Sequence, residues 1–596
     1  MKKQDLFLVF LITLFPRLFI SLQAYPAMYS SDEVSAISVA AMLAGYDWRE
    51  VVSCAGYYGI GYLFIFAPLF HVVKNPIWIY RIILTVSSAL VALSAPVCYL
   101  VLHKYFSLDR RIDKIVVSSI CGVLNIFTCV HLTARNEEIL YFLVWVIVYY
   151  LCGILNSVNQ SKQRKQKERV LLLLLMYSLT VHTRAVCLII GVVFADILYR
   201  VIYKKGILRK RSYLIILAAY IIISFGLKVY QSNIWIYGTK NTSVMSGVKN
   251  SLSKVQEYFN PYLFGNIFRI VFGQIYTAGA ITGGLFIFAL ITILLFYTKK
   301  KYHINSDEKY IIVVGGMFLF CTIITIGGMS VTWLINVTKS MTEYGSEGFQ
   351  SSYRAFTYLR YMGCYVSPVI MCAFVVAENN KKVLRRAVWI GTVAMCILTL
   401  FFMKMVLPYI STNRDVYFMA LGDMKNGETV TCENWYMACI LSLSVMIVGM
   451  LLVMSKKALI YFVGTLLLLI FERLYIFRQS TIISEQKYYM RANAGYELIQ
   501  SMREEKELQK IYVYDSIGGR QQFFLYQYLN YTEKIVPGMP DNMEENILLF
   551  SNTNLKEILQ DSFYWGKLDE NEYVYCIAGE DVQLIEKCGI IMQKVE

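Results

Sequence analysis

Hydrophobic runs of about twenty residues recur along most of this chain, parted by short polar loops. That length matches the hydrocarbon core of a bilayer. No segment has the weaker alternating pattern of a membrane barrel. The pattern predicts an α-helical polytopic membrane protein, a plasma-membrane chain of many passes. The first run, Leu6 to Leu22, follows Lys2 and Lys3, which puts the N-terminus in the cytoplasm. It lacks a small-residue cleavage site and many further runs follow, so it reads as a retained span and not a signal peptide.

Basic clusters assign the remaining loops to a side. They fall at Lys104 to Lys114, Lys162 to Arg169, Lys204 to Arg211, Lys299 to Lys309, Lys381 to Arg386 and Lys456-Lys457. Each successive pair leaves room for two spans, so every cluster returns to the cytoplasmic face. One apolar stretch breaks this alternation. If 57–73 and 77–102 both crossed, every later basic loop would be inverted. The stretch 57–73 is rich in Gly and aromatics and carries Pro68. It is therefore expected to lie at the interface, or to dip in partway, and not to cross. About thirteen spans remain, with the C-terminus outside.

This topology sets the outer loops at 24–76, Arg135 to Glu138, His182 to Arg184, and about 230–276, 329–360 and 408–435. The chain then divides into a membrane domain, 1–477, and an extracytoplasmic tail, 478–596. In the tail, strand-like runs at 511–515, 546–550 and 572–578 alternate with helical patterns near 519–529 and 554–562. That pattern predicts a small α/β domain. It has no glycine-rich nucleotide loop and no G-x-S-x-G.

The chain has 596 residues, 57% of them hydrophobic, and a formal charge of +16. The positive charge sits in short loops where it sets orientation, so nucleic acid is not an expected partner. The 14 Cys are scattered, mostly inside apolar runs, without zinc spacing. Candidate chemistry gathers instead on the outer face. Asp32 and Glu33 follow the first span, and Arg135, Glu137 and Glu138 occupy a short loop. His182 and Arg184 form another loop, and Arg354, Arg360 and Tyr361 come later. Cations there suit an anionic phosphate at the membrane surface, and a carboxylate suits activation of a hydroxyl. Each residue alone has a plainer use. Arg135 and Glu138 have ion-pair spacing, and Arg184, Arg360 and Arg17 fit snorkelling anchors. Clustering on one face is what raises the set.

The first loop reads Ser31-Asp32-Glu33, then Ala40-Ala41-Met42-Leu43-Ala44-Gly45, then Tyr57 to Tyr62 and Ala67-Pro68. It resembles the first extracytoplasmic loop of the GT-C superfamily of integral-membrane glycosyltransferases, which includes protein mannosyltransferases and aminoarabinose transferases. Ala134-Arg135-Asn136-Glu137-Glu138 resembles the second acidic site of that superfamily. Tyr358-Leu359-Arg360-Tyr361 with Pro368 resembles its late "RY…P" segment. Where the superfamily's jaw has Lys-Pro-Pro, this chain has Gly56-Tyr57-Tyr58-Gly59, which leaves phosphate contacts to Arg and His.

The resemblance implies a GT-C-like fold with the interfacial jaw helix. It also implies transfer of a sugar from a polyprenyl-phosphate donor to an extracytoplasmic glycan, lipid or protein, with inversion. Asp32 is the expected base, with Glu33, Glu137 and Glu138 as further catalytic candidates. Arg135, His182, Arg184, Arg360 and Tyr361 are expected on the lipid phosphate. Asp32, Glu33 and Glu137 form a candidate set for a divalent metal, and the superfamily leaves metal use open. The alternatives are a transporter or flippase, or a polymerase or ligase, of lipid-linked glycans. Paired halves with matching broken helices, the mark of many transporters, are absent from the sequence pattern.

Overall fold

A computed structural model describes residues 3–595 apart from 27, 29–30, 56–58, 128–133, 159–160, 235–260, 299–306, 347–350, 352–353, 358, 410–431, 477–481, 506–507, 509, 516–519, 541–546, 560–561, 571 and 578. Among the described residues, seven helices are long and apolar enough to cross a membrane: Lys3–Ser21, Pro76–Tyr105, Glu138–Leu155, Thr183–Tyr203, Lys210–Asn233, Glu308–Tyr344 and Lys381–Met405. A bent pair, Gly265–Ile281 and Leu285–Thr298, turns by 111° and makes an eighth if counted as one broken span. The turn runs through Gly283 and Gly284, both at positive φ, a region that favours glycine. Among the described residues five further helices, Arg111–Phe127, Lys162–Val181, Gly363–Asn379, Cys432–Met454 and Ala458–Ile476, accompany them.

Local sequence explains where several helices begin. The Asn75 side chain accepts from the Ile77 N–H at 2.9 Å and the Trp78 N–H at 3.3 Å, with Pro76 at the first helical position. Asn380 caps Lys381–Met405 in the same way, accepting from Lys382 and Val383. Two expected loops are partly helical. Helix begins at Pro261, inside the loop expected at 230–276, and the long helix Gly316–Tyr344 runs well into 329–360. In the second case Met329, Ser330, Leu334, Val337 and Thr338 are buried at helical spacing, so a packed stripe continues past the purely apolar run.

Among its described residues the jaw stretch contains no helix long enough to cross. Its described part holds a 3-10 turn at Leu63–Phe66 and one short helix, Leu69–Val72. Gly59 and Gly61 lie at positive φ against neighbouring loops. A side chain at Gly59 would collide with the Thr180 carbonyl, and one at Gly61 with Asn136. The Gly61 N–H donates to Thr180 O at 3.0 Å, and Asn136 Nδ2 donates to Gly59 O at 3.1 Å. The jaw therefore seats on the short loop at Asn136 and on the last turn of the helix Lys162–Val181.

The tail opens with the helix Ile483–Glu505 and holds a six-stranded mixed sheet. Its strands are β1 (Lys510–Tyr514), β2 (Ile535–Pro537), β3 (Ile547–Ser551), β4 (Tyr564–Asp569), β5 (Glu572–Cys576) and β6 (Met592–Lys594), in the order β2-β1-β3-β5-β4-β6. β1 is parallel to β2 and β3, and the remaining pairs are antiparallel. The expected helix at 519–529 is present as Gln521–Leu529. That at 554–562 is reduced to a turn closed by Leu559 N–H on Leu555 O. β2, β4 and β6 were not foreseen, since two have only three residues and β4 has a weak alternation.

The tail packs on the first loop. Trp48 Nε1 donates to Tyr531 O at 3.0 Å, and Tyr528 OH to Pro76 O at 2.9 Å. Tyr531 packs edge-on against Phe70 and Tyr46. These rings are part of one continuous core that runs from the helical bundle into the tail.

Candidate functional site

Two adjacent acidic pairs define the site, and each pair divides in the same way. Asp32 and Glu33 stand in the first turn of the helix Ser31–Leu43. Successive residues on a helix point about 100° apart, so the two carboxylates diverge. Asp32 meets Arg360, with Oδ2 2.6 Å from Nη1. Glu33 turns the other way, where its Oε1 accepts from Tyr80 OH at 2.7 Å and from the Ala134 N–H at 2.8 Å. Glu137 and Glu138 open the helix Glu138–Leu155. Glu137 pairs with Arg360 Nε, whereas Glu138 pairs with Arg17 at 2.7 Å.

Arg360 is therefore clasped by carboxylates from two loops more than one hundred positions apart in sequence. It sits in a 3-10 turn, Leu359–Tyr361, just before the helix Gly363–Asn379. The next residue, Tyr361, supports a second cation, with the Arg184 guanidinium 3.1 Å from its ring centroid. Arg135 is buried close by, and its charge acts on both Asp32 and Glu33. His182 Nδ1 accepts the Arg184 N–H at 3.1 Å, so a neutral ring carries its proton on Nε2. Nε2 stands 3.4 Å from Glu137 Oε2. The side chain of Arg354 lies outside the described residues.

The charge states follow from burial against these neighbours. Burial pushes Asp32 up, but Arg360 and Arg135 outweigh it and hold the carboxyl below its usual range. Burial likewise opposes ionisation of Glu137, and the guanidiniums of Arg360 and Arg184 overcome it, so Glu137 is a carboxylate. Burial, reinforced by Arg184, pulls His182 down to about 3. His182 is therefore a neutral imidazole at physiological pH, and not a fourth cation beside Arg135, Arg184 and Arg360. Glu33 goes the other way: burial raises it, against the bonds from Tyr80 and Ala134.

The cluster thus brings together Asp32, Glu137, Arg360 and His182, with Arg184 and Tyr361 alongside. Glu33 and Glu138 serve separate buried contacts. Arg17, which the sequence suggested was a snorkelling anchor, is 1% exposed and paired. The spacing of Arg135 and Glu138 does not produce an ion pair, because Glu138 turns to Arg17. Tyr80 and Glu485 escaped the sequence reading. Glu485 Oε2 accepts the Tyr25 N–H at 3.4 Å, and its charge acts on Glu33. A charge inside the first apolar run was the signal that Arg17 needed a partner. For Tyr80 and Glu485 no signal existed. Asp32 and Glu137 each engage Arg360, and among the described residues no three His, Cys, Asp or Glu side chains stand together as a metal set.

The chain thus combines an apolar helical bundle, a jaw stretch, a charged cluster at one end and a small α/β tail. No protein-family model matches the chain, and no curated protein does. Among solved structures it is similar to the crystal structure of ArnT from Cupriavidus metallidurans bound to undecaprenyl phosphate. The TM-score is 0.51 at 11% identity, over 97% of this chain and 99% of that one. The apo state of the same ArnT gives 0.49 at 12% identity, over 96% and 98%. At such identity the likeness speaks for the fold alone: this chain shares the fold of that ArnT structure over nearly its whole length.

Proposed function

We propose that this protein is a GT-C-like glycosyltransferase that moves a sugar from a polyprenyl-phosphate donor to an acceptor outside the cytoplasm. The observation that carries the reading is Arg360 held between Asp32 and Glu137, with Arg184 on Tyr361 beside it. Cations presented with carboxylates at one end of a membrane bundle suit a lipid phosphate leaving group. The likeness to ArnT, whose crystal structure contains undecaprenyl phosphate, supports a polyprenyl carrier.

The acceptor hydroxyl oxygen attacks the anomeric carbon as the bond from that carbon to the phosphate oxygen breaks. The bond electrons leave with the polyprenyl phosphate, and a single displacement inverts the centre. Asp32, kept ionised by Arg360, takes the hydroxyl proton. Arg360, Arg184 and Arg135 balance the growing phosphate charge. Glu137 orients Arg360, and neutral His182 steadies Glu137. Glu33 and Glu138 hold the loops in place. No general acid is needed, because a phosphate is already a good leaving group. The tail faces outward with the acceptor, and the N-terminus lies in the cytoplasm.

A transfer assay with radiolabelled polyprenyl-phosphate hexose and purified protein tests this. Wild type should release polyprenyl phosphate in the presence of an envelope glycan extract, and Asp32→Asn should not. Equal release by both would remove the reading.

A further inference from the structure

In a parallel arrangement of order β2-β1-β3, the chain leaves β1 for one neighbour and later returns to the other side. The crevice at the carboxyl ends of β1 and β3 is where such sheets hold ligands. In the tail this edge is polar. Asp515 follows β1 and Asn552 follows β3, and Asn552 Nδ2 donates to Asp515 Oδ1 at 2.9 Å. The helix Gln521–Leu529 starts here, and the Gln522 N–H donates to Asp515 Oδ2 at 3.4 Å. β5 runs antiparallel to β3, with Tyr573 opposite Ser551, so its first residue, Glu572, arrives at the same edge.

Glu572 and Gln522 are the informative pair. Glu572 is 2% exposed and Gln522 8%. Gln522 Nε2 donates to Glu572 Oε1 at 3.1 Å, and Tyr526 OH donates to the same oxygen. Among the described residues, Glu572 Oε2 and Gln522 Oε1 have no hydrogen-bond partner. Two neighbouring buried acceptors without donors are unfavourable unless something supplies the donors. Gln522 Oε1 accepts only, and Glu572 Oε2 accepts when ionised and donates when protonated, demands that a hydroxyl meets in either state, while Asp515 at the edge would repel an anionic ligand.

We infer that the carboxyl edge of the tail's sheet, between β1 and β3, binds a carbohydrate whose hydroxyls donate to Glu572 Oε2 and Gln522 Oε1. Carboxylate and amide oxygens set side by side are a natural match for adjacent sugar hydroxyls. Burial lifts the Glu572 carboxyl to about 7 against its two bonds, which keeps the pocket's charge low enough for a neutral ligand. The tail packs on the loop that carries Asp32, so a glycan held here lies on the same body as the charged cluster. That this glycan is the transfer acceptor rests on the proposed function; the binding itself does not.

The test is saturation-transfer NMR on the full chain in detergent micelles. The probes are glucose, galactose, mannose, N-acetylglucosamine and their β-linked disaccharides, with inorganic phosphate and ammonium as comparison ligands. At least one saccharide should give signal with wild type. Gln522→Met, which removes the amide at similar volume, and Glu572→Gln should each weaken it tenfold or more, with melting temperatures at or above wild type. Arg360→Ala should lose transfer yet keep saccharide signal, which separates this site from the transfer reaction. No saccharide signal, signal unchanged in both tail variants, or binding of phosphate or ammonium in its place would overturn the inference.

Discussion

The Arg17 guanidinium meets the Glu138 carboxylate at 2.7 Å with both side chains 1% exposed. One belongs to the first membrane helix and the other to the start of Glu138–Leu155, so the pair ties the second loop to the first span. Removing one partner strands a buried charge, which costs about 3–5 kcal/mol. Arg17→Met and Glu138→Leu should each lower the detergent melting temperature sharply. The double variant should recover much of the loss. Additive losses in the melting series would refute the pairing.

The Arg360 and Asp32 variants should fail differently. Asp32→Asn keeps shape but cannot take a proton, so turnover should drop about 100-fold or more while donor lipid still binds. Arg360→Ala should weaken donor binding and slow transfer, because leaving-group charge grows in the transition state. Arg360→Lys should restore only part of both, lacking the planar fork. Separate donor affinities and turnover numbers decide this. A well-folded Asp32→Asn with wild-type turnover would remove Asp32 from the proposed role.

Acid should destabilise the site through His182. Its value falls from 6.5 to about 3 in the fold, so between these values the unfolded chain takes up a proton that the folded chain refuses. Stability therefore falls as pH drops through 6.5, by about 2 kcal/mol between pH 7 and 5. Glu137 acts in the same direction at lower pH. Its carboxylate is held below the usual 4.5, so its stabilising share is complete above that value and is lost as pH falls beneath it. His182→Gln should flatten the melting-temperature slope between pH 7 and 5; an unchanged slope would exclude His182 as its source.

Trp48 is fully buried where the first loop meets the tail. Trp48→Ala removes the bond to Tyr531 O and leaves a large cavity, costing about 3–5 kcal/mol. Limited proteolysis should then cut the junction near 477–481 faster than in wild type. Trp48→Phe should fall between the two. An unaltered digestion pattern for Trp48→Ala would show that the tail is held elsewhere.

Topology can be read with single cysteines at exposed positions that carry no cap or buried bond. Lys74→Cys, after the jaw, should react with an impermeant maleimide added outside. Asp109→Cys, in the basic loop, should react only after permeabilisation. The opposite pattern would invert the proposed orientation.

Periodicity and loop charge carried the helical bundle, because both are local properties of the chain. The jaw was legible for the same reason: an extra crossing conflicts with the basic loop at 104–114. The candidate site was legible as a list of residues. Its division was not. Which of Asp32 and Glu33, or of Glu137 and Glu138, faces Arg360 depends on helix rotation, and that is set by partners such as Tyr80 and Arg17 far away in sequence. The neutral state of His182 was equally hidden, since it follows from burial beside Arg184. In the tail, strands of three residues leave too short a pattern to detect, and β2 and β6 exist only through their neighbours.

Tyr528 and Tyr531 of the tail close over Trp48, Phe70 and the carbonyls of Val73 and Pro76. Among homologues, the two regions should then vary together. A shortened jaw would call for a reshaped Gln521–Leu529 helix, and a chimera that exchanges the tail alone would uncover aromatic surface and aggregate. Grafting the first loop and the tail as a matched set is the route to moving this architecture between chains.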